Sequence, residues 1–246
     1  MTKVLREVAK QFVDHIPHTD QLLLYDRLSV KIQDEDAVTR ATLKLRTGRG
    51  SFEPVLFLIR NERDNKKPVM HAELRDGVGF VVTWDDAERT EMMRVTLADK
   101  SENVLGKIQH PTNATLYKVY TTEEPGRFRV LPMDEDAKLV RSAKHPLEHL
   151  DVSRTKTGLM SMLQRVDLVH DDSTTLVRAQ RQLCPVAELR PKYRVTHSGK
   201  STMVLFRDAE SANGQQRALA IGIALLQHLA MAYPRLQTLF EQSRGK

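Results

Sequence analysis

Two hydrophobic rhythms divide this chain. Apolar and polar residues exchange at every step in Leu28-Ser-Val-Lys-Ile32 and again in Ala41-Thr-Leu-Lys-Leu45. Period two places alternate side chains on one face of an extended segment, so both stretches are expected to be half-buried strands. Pro54-Val-Leu-Phe-Leu-Ile59 is apolar throughout and predicts a strand covered on both faces. Further strands are expected over 69–74, 79–84, 92–97, 103–108, 115–120 and 128–131, and later over 165–169, 175–179, 192–196 and 203–207. Arg75-Asp-Gly77, Asp99-Lys-Ser-Glu102, His110-Pro-Thr-Asn113, Glu124-Pro-Gly126 and His197-Ser-Gly-Lys200 supply turn chemistry between them. Gly48-Arg-Gly50 reads as another turn between strands. With no helical pattern between the early strands, an antiparallel meander is favoured over alternating βαβ units. Residues 133–165 are more polar and less regular, and read as an excursion off the sheet.

The C-terminal rhythm is different. From Ala218 the chain runs ALAIGIALLQHLAMAY before Pro234, a stop signal, and predicts a helix over 215–232. Its apolar residues surround the axis instead of forming a stripe, and a helix apolar all round is buried all round. Among strands, wrapping the sheet about it covers it most economically, and Gly222 and the alanines allow close approach. Its six large aliphatic side chains, Leu219, Ile221, Ile223, Leu225, Leu226 and Leu229, would contribute on the order of 10–18 kcal/mol before entropy. The expected fold is therefore mainly β (α+β): a closed antiparallel barrel over 21–233 around a central C-terminal helix. An amphipathic helix is expected within 1–20, with Val4, Leu5, Val8, Phe12 and Val13 near one face, and 234–246 as a tail.

Composition narrows the setting. A length of 246 residues with 40% hydrophobic content suits one sizeable core. Lys plus Arg outnumber Asp plus Glu by 38 to 32, a net charge of +6 that favours acidic partners: tubulin, nucleic acid or anionic lipid. Aromatics at 5% rarely sit among the basic residues, so base stacking on nucleic acid has little support. The single cysteine, Cys184, excludes an internal disulfide and fits a reducing compartment. The N-terminus lacks a secretory apolar run, and Glu7 and Asp14 argue against a mitochondrial presequence. Ala218–Ala232 falls short of the roughly 20 apolar residues that span a membrane, and Gln227 and His228 interrupt it. A cytoplasmic, non-transmembrane chain is the expectation.

Candidate chemistry is sparse. His145-Pro-Leu-Glu-His149 spaces two histidines four apart, but two ligands without a third make a poor metal site; a solvated loop is the default. Cys184 precedes Pro185 with no histidine close in sequence to activate it, so a buried structural thiol is the stronger reading. Phosphate-loop, nucleophile-elbow and dinucleotide fingerprints are absent. No catalytic residue, metal or cofactor is expected. Trp84 follows an apolar strand and precedes two aspartates, which suits packing better than ligand contact. Two basic groups stand out: Lys44, Arg46 and Arg49, and Arg178, Arg181, Arg190, Lys192 and Arg194. Alternating charge in a strand usually marks its solvated face. If the second group clusters, it forms the candidate lipid- or partner-binding patch.

Several segments resemble the tubby C-terminal domain family. Leu58-Ile-Arg-Asn-Glu-Arg-Asp64, with Pro68, His71 and Asp76-Gly77 before Phe80, looks like the family's opening stretch. Asn103-Val-Leu-Gly-Lys-Ile108 followed by Asn113-Ala-Thr-Leu-Tyr-Lys-Val-Tyr120 is similar to its Y-I-G-K-L-R-S-N … T-V-Y-D segment. Lys200–Arg207, Asp208-Ala-Glu210 and Gln216-Arg-Ala-Leu-Ala-Ile-Gly-Ile-Ala224 resemble its ending. The order is preserved from about Pro54 to Leu229; scramblase-like and LURP-one-like proteins share the architecture. The resemblance implies a barrel threaded by its own helix and, for the family, phosphoinositide binding through a basic run. Here Thr83-Trp-Asp-Asp-Ala-Glu-Arg-Thr-Glu91 stands at that place, with four acids and one arginine, and Gln109 replaces the arginine of G-K-L-R. Carboxylates there repel phosphate. The terminal cysteine motif is also missing. The expectation is a non-enzymatic scaffold or adaptor in a larger assembly, in a cilium or flagellar axoneme by resemblance. The alternative is a peripheral adaptor binding phosphoinositide or other anionic lipid through a relocated basic patch; a lipid-handling or hydrolytic enzyme ranks last.

Overall fold

Nine strands of a continuous antiparallel sheet grow from the alternating segments. In the computed structural model, residues 15–64, 67–97, 104–121, 128–132, 150–155, 174–179, 187–192, 200–206 and 213–244 are described. The strands are β1 (Arg27–Ile32), β2 (Val55–Asn61), β3 (Pro68–Arg75), β4 (Gly79–Trp84), β5 (Glu91–Leu97), β6 (Val104–Gln109), β7 (Thr115–Thr121), β8 (Phe128–Pro132), β9 (Leu150–Thr155), β10 (Thr174–Ala179), β11 (Ala187–Lys192) and β12 (Ser201–Phe206). The nine run in the order β11-β12-β1-β2-β3-β4-β5-β6-β7. Backbone pairings of β8, β9 and β10 follow in sequence between β7 and β11. Between β1 and β7 each strand pairs with its sequence neighbour, as a meander requires, while β1 also pairs with β12 across almost the whole chain.

Three helical elements complete the fold: α1 (Glu35–Thr47), α2 (Gly214–Ala232) and α3 (Pro234–Arg244), with a 3-10 turn over Thr19–Leu24. The expected central helix is α2. Asn213 caps it, accepting from the Gln216 amide at 2.9 Å while the Gln216 side chain accepts from the Asn213 amide at 3.3 Å, a reciprocal capping box. Nearly every residue from Gly214 to Leu229 is buried. The helix touches strands far apart in the sheet. His228 meets Thr202 of β12 and Phe57 of β2. A side chain on Gly222 would approach Ile108 of β6 to 2.9 Å, and one on Gly106 would approach Leu226 equally closely. The core is thus a double layer of strand and helix side chains. Leu28, Val30, Phe57, Ile59, Met70, Leu74, Phe80 and Val95 face it from the sheet, all fully buried.

Four expectations require correction. Ala41–Leu45 is helical, not extended. Asp34 caps α1 by accepting from the Asp36 amide at 2.8 Å, and Gly48 ends it with φ 64° while donating its N–H to the Lys44 carbonyl at 2.7 Å. Acids in its first turn and Lys44 and Arg46 in its last complement the helix dipole. The local alternation of Ala41, Leu43 and Leu45 carried less weight than the four-residue spacing of buried Ala37 and Ala41. Gly48-Arg-Gly50 is accordingly a helix cap rather than a strand turn. Second, 234–246 is no simple tail: Pro234 takes the first position of α3, where its missing N–H costs nothing. Leu236 and Phe240 bury themselves, with Phe240 edge-on to Phe52 at 6.2 Å. Third, the supposed excursion contains β9. Finally, β11 occupies Ala187–Lys192, ahead of the strand expected over 192–196, of which 193–196 lie outside the described residues. Residues 1–14 and 165–169 lie outside the described residues, so the amphipathic N-terminal helix and that strand do too.

Candidate functional site

Helix α2 covers one face of the sheet and leaves the other to solvent. A cleft of about 400 Å³ opens where the 3-10 turn, β1, β11, β12 and the first turn of α2 meet. Pleating builds its floor. Thr202, Val204 and Phe206 of β12 are buried, so Met203 and Leu205 stand on the opposite face. Register then sets the walls: Leu205 lies directly between Arg27 of β1 and Glu188 of β11, and Met203 lies beside Arg190. Arg63, just beyond β2, reaches in and pairs with Asp26 at 2.6 Å. Arg190 donates through Nη2 to Glu188 at 2.6 Å. Four arginines and two carboxylates give the lining an excess of two positive charges.

Arg217 forms the inner wall. It is the largest fully buried side chain among the described residues. Its Nη1 donates to the carbonyls of Leu22 at 3.1 Å and Tyr25 at 2.6 Å, and its guanidinium lies 5.0 Å from the Phe206 ring centroid. Burial pushes its pKa below the usual arginine value, and the Asp26 carboxylate partly offsets that. A cation in the first turn of a helix opposes the dipole; the two carbonyls compensate. Gln215 adds a second clasp, accepting from the Ile16 amide at 3.0 Å and donating to the Ile16 carbonyl at 2.7 Å and the Thr19 hydroxyl at 3.0 Å. Together they pin the chain before β1 against the start of α2.

Of the five basic residues singled out in sequence, Arg190 lines the cleft. Arg178 lies in β10 opposite Asp151, and Lys192 ends β11 opposite Ser201; their backbones alone are described. Arg181 and Arg194 lie outside the described residues, as do His145, Glu148, His149 and Cys184. Sequence does not mark out Arg27, Arg63 and Arg217, because they come from three distant segments and only the strand register and the clasp to α2 unite them. Lys44, Arg46 and Arg49 form no strand face; the first two belong to the last turn of α1.

The acidic stretch 83–91 forms the end of β4 and its turn. Trp84 is buried, and Asp85 approaches His71 Nε2 at 2.7 Å. Asp86 accepts from the Thr90 amide at 2.9 Å, and this backbone bond holds its carboxyl below the ordinary value. Gln109 donates to the Asn113 carbonyl at 3.0 Å, tying the β6–β7 turn. Asp86 closes the turn, Asp85 meets His71, and Glu91 pairs with Arg94 at the start of β5. Among the described residues, no group of three His, Cys, Asp or Glu side chains is placed to hold a metal ion. No described helix is by itself long and apolar enough to cross a membrane. No protein-family model matches the sequence, and no curated protein matches it either.

Proposed function

We propose that the chain is a diverged tubby-like domain whose sheet closes into a barrel around α2, and that it serves as a non-enzymatic scaffold within a larger protein assembly. Support for closure comes from the backbone pairings of β8, β9 and β10 between β7 and β11. The observation that carries the scaffold reading is the occupancy of the interior by α2, buried on every side. A core filled by its own helix leaves recognition to the outer surface, and the arginine-lined cleft is outside. A ciliary or flagellar assembly follows from the tubby resemblance. Chemical crosslinking of the intact chain in its native cells, followed by mass spectrometry, tests the reading. Stable crosslinks to other proteins in a detergent-resistant fraction are expected. A freely soluble monomer without crosslinked partners would overturn it.

Anionic lipid is the second reading, favoured by the positive excess around Arg27, Arg63 and Arg190. Flotation with vesicles containing phosphoinositide decides it. Absence of binding at low salt rejects it.

A further inference from the structure

We infer that the cleft between β1, β11 and β12 receives a protein segment that presents carboxylate side chains next to aliphatic ones. The inference rests on the scaffold reading for the ligand being a protein, and on the lining for its chemistry. The floor is aliphatic, Met203 and Leu205, and the adjoining 3-10 turn keeps Leu23 40% and Leu24 78% exposed, uncommon for leucines. These apolar groups sit among guanidiniums on accessible side chains: those of Arg63 and Arg190 are 65% and 53% exposed. A guanidinium carries five N–H donors in a planar fork that fits a carboxylate through two parallel bonds. The volume of about 400 Å³ lies at the small end of ligand sites, enough for a few side chains and too small for a folded domain.

The carboxylates already present decide the kind of anion. Arg63 and Arg190 are held by Asp26 and Glu188, each at 2.6 Å. An incoming carboxylate exchanges with groups of its own charge. A phosphate, carrying about two charges at neutral pH, would lie against both acids with only the same excess of positive charge to offset it. A flat bilayer does not reach a floor set between strand-borne arginines.

The test uses the full-length chain and a short fluorescein-labelled peptide of interspersed Glu and Leu, read by anisotropy. The same peptide with Gln for Glu, inorganic phosphate as competitor and phosphatidylserine vesicles serve as separate arms. Binding of the Glu peptide is expected, with the Gln peptide at least about tenfold weaker. The double variant Arg27→Gln and Arg190→Gln should weaken it by about tenfold or more. Lys44→Gln with Arg46→Gln on α1 should leave it unchanged, and thermal melts of both variants confirm folding. Equal binding of both peptides, no loss in the cleft variant, or capture by vesicles with no peptide binding would overturn the inference. Crosslinked partners together with a silent peptide assay would remove the cleft while leaving the scaffold reading intact.

Discussion

His228 is fully buried between α2 and the sheet with Nδ1 2.9 Å from the Thr202 hydroxyl, its ring edge-on to Phe57 and Tyr233. Its Nε2 is buried without a hydrogen-bond partner among the described residues. Burial, and secondarily the Lys200 ammonium, pushes its pKa down to about 3. An unfolded histidine takes a proton near pH 6.5, so below that pH the unfolded chain binds a proton the native chain refuses. Stability from this group is therefore complete above about pH 6.5 and is lost as pH falls toward 3, by roughly 1.4 kcal/mol per pH unit. Urea unfolding at pH 7 and pH 5 should show a loss of about 2 kcal/mol from His228. The double variant His228→Leu with Thr202→Val should lack this increment and remain within about 1 kcal/mol of the parent at pH 7, since both bonding partners leave together. Arg217→Met makes the opposite point. It leaves the Leu22 and Tyr25 carbonyls without their charged donor, and a loss of about 2–4 kcal/mol in the same measurement is expected.

Helices α1 and α3 support each other. Phe240 is fully buried against Phe52, Leu236 lies beside it in the core, and the Tyr233 hydroxyl between α2 and α3 donates to Glu35 at 2.7 Å. Phe240→Ala should cost about 3–5 kcal/mol, and hydrogen exchange should then quicken in α1 as well as α3 if the pair acts as one unit. Where α2 meets the sheet, Gly222 sets the spacing. A methyl group there would come within 2.9 Å of Ile108 Cδ1, the movable end of a side chain. Gly222→Ala should stay within about 1 kcal/mol of the parent, since helix propensity gains about as much as the adjustment costs. Gly222→Leu has no room and should lower stability by about 1–3 kcal/mol or more, visible as a fall in Tm. Lys200 also helps to end α2, donating to the Ala232 carbonyl at 2.9 Å beneath the Tyr233 ring.

At the scale of the whole molecule, α2 is the helix on which the described strands converge. Strand β1 pairs with β12, so the sheet that packs on the helix joins segments from distant parts of the chain. Exposing α2 to water means parting it from β1, β5, β6, β11 and β12. Native-state exchange followed by mass spectrometry should show the amides of residues 218–229 exchanging only through global unfolding, at the free energy found from urea. Faster exchange there than in β3 and β4 would mean that α2 leaves its place independently. The arginine cleft belongs to this scale too. Arg27, Arg63, Arg190 and Arg217 are scattered between positions 27 and 217, and no two of them lie in one secondary-structure element.

Periodicity alone determined most of the strands and the buried helix. Period two is a property of the extended backbone, and an all-round apolar helix has nowhere to sit but inside. It misread Ala41–Leu45 because that alternation spans barely more than one helical turn; the cap at Asp34 and the docking of α3 decide the matter. Only the tertiary structure decided which charges meet. Electrostatic neighbours in a sheet are chosen by register, and register is set by the whole hydrophobic core at once, which no local stretch of residues records.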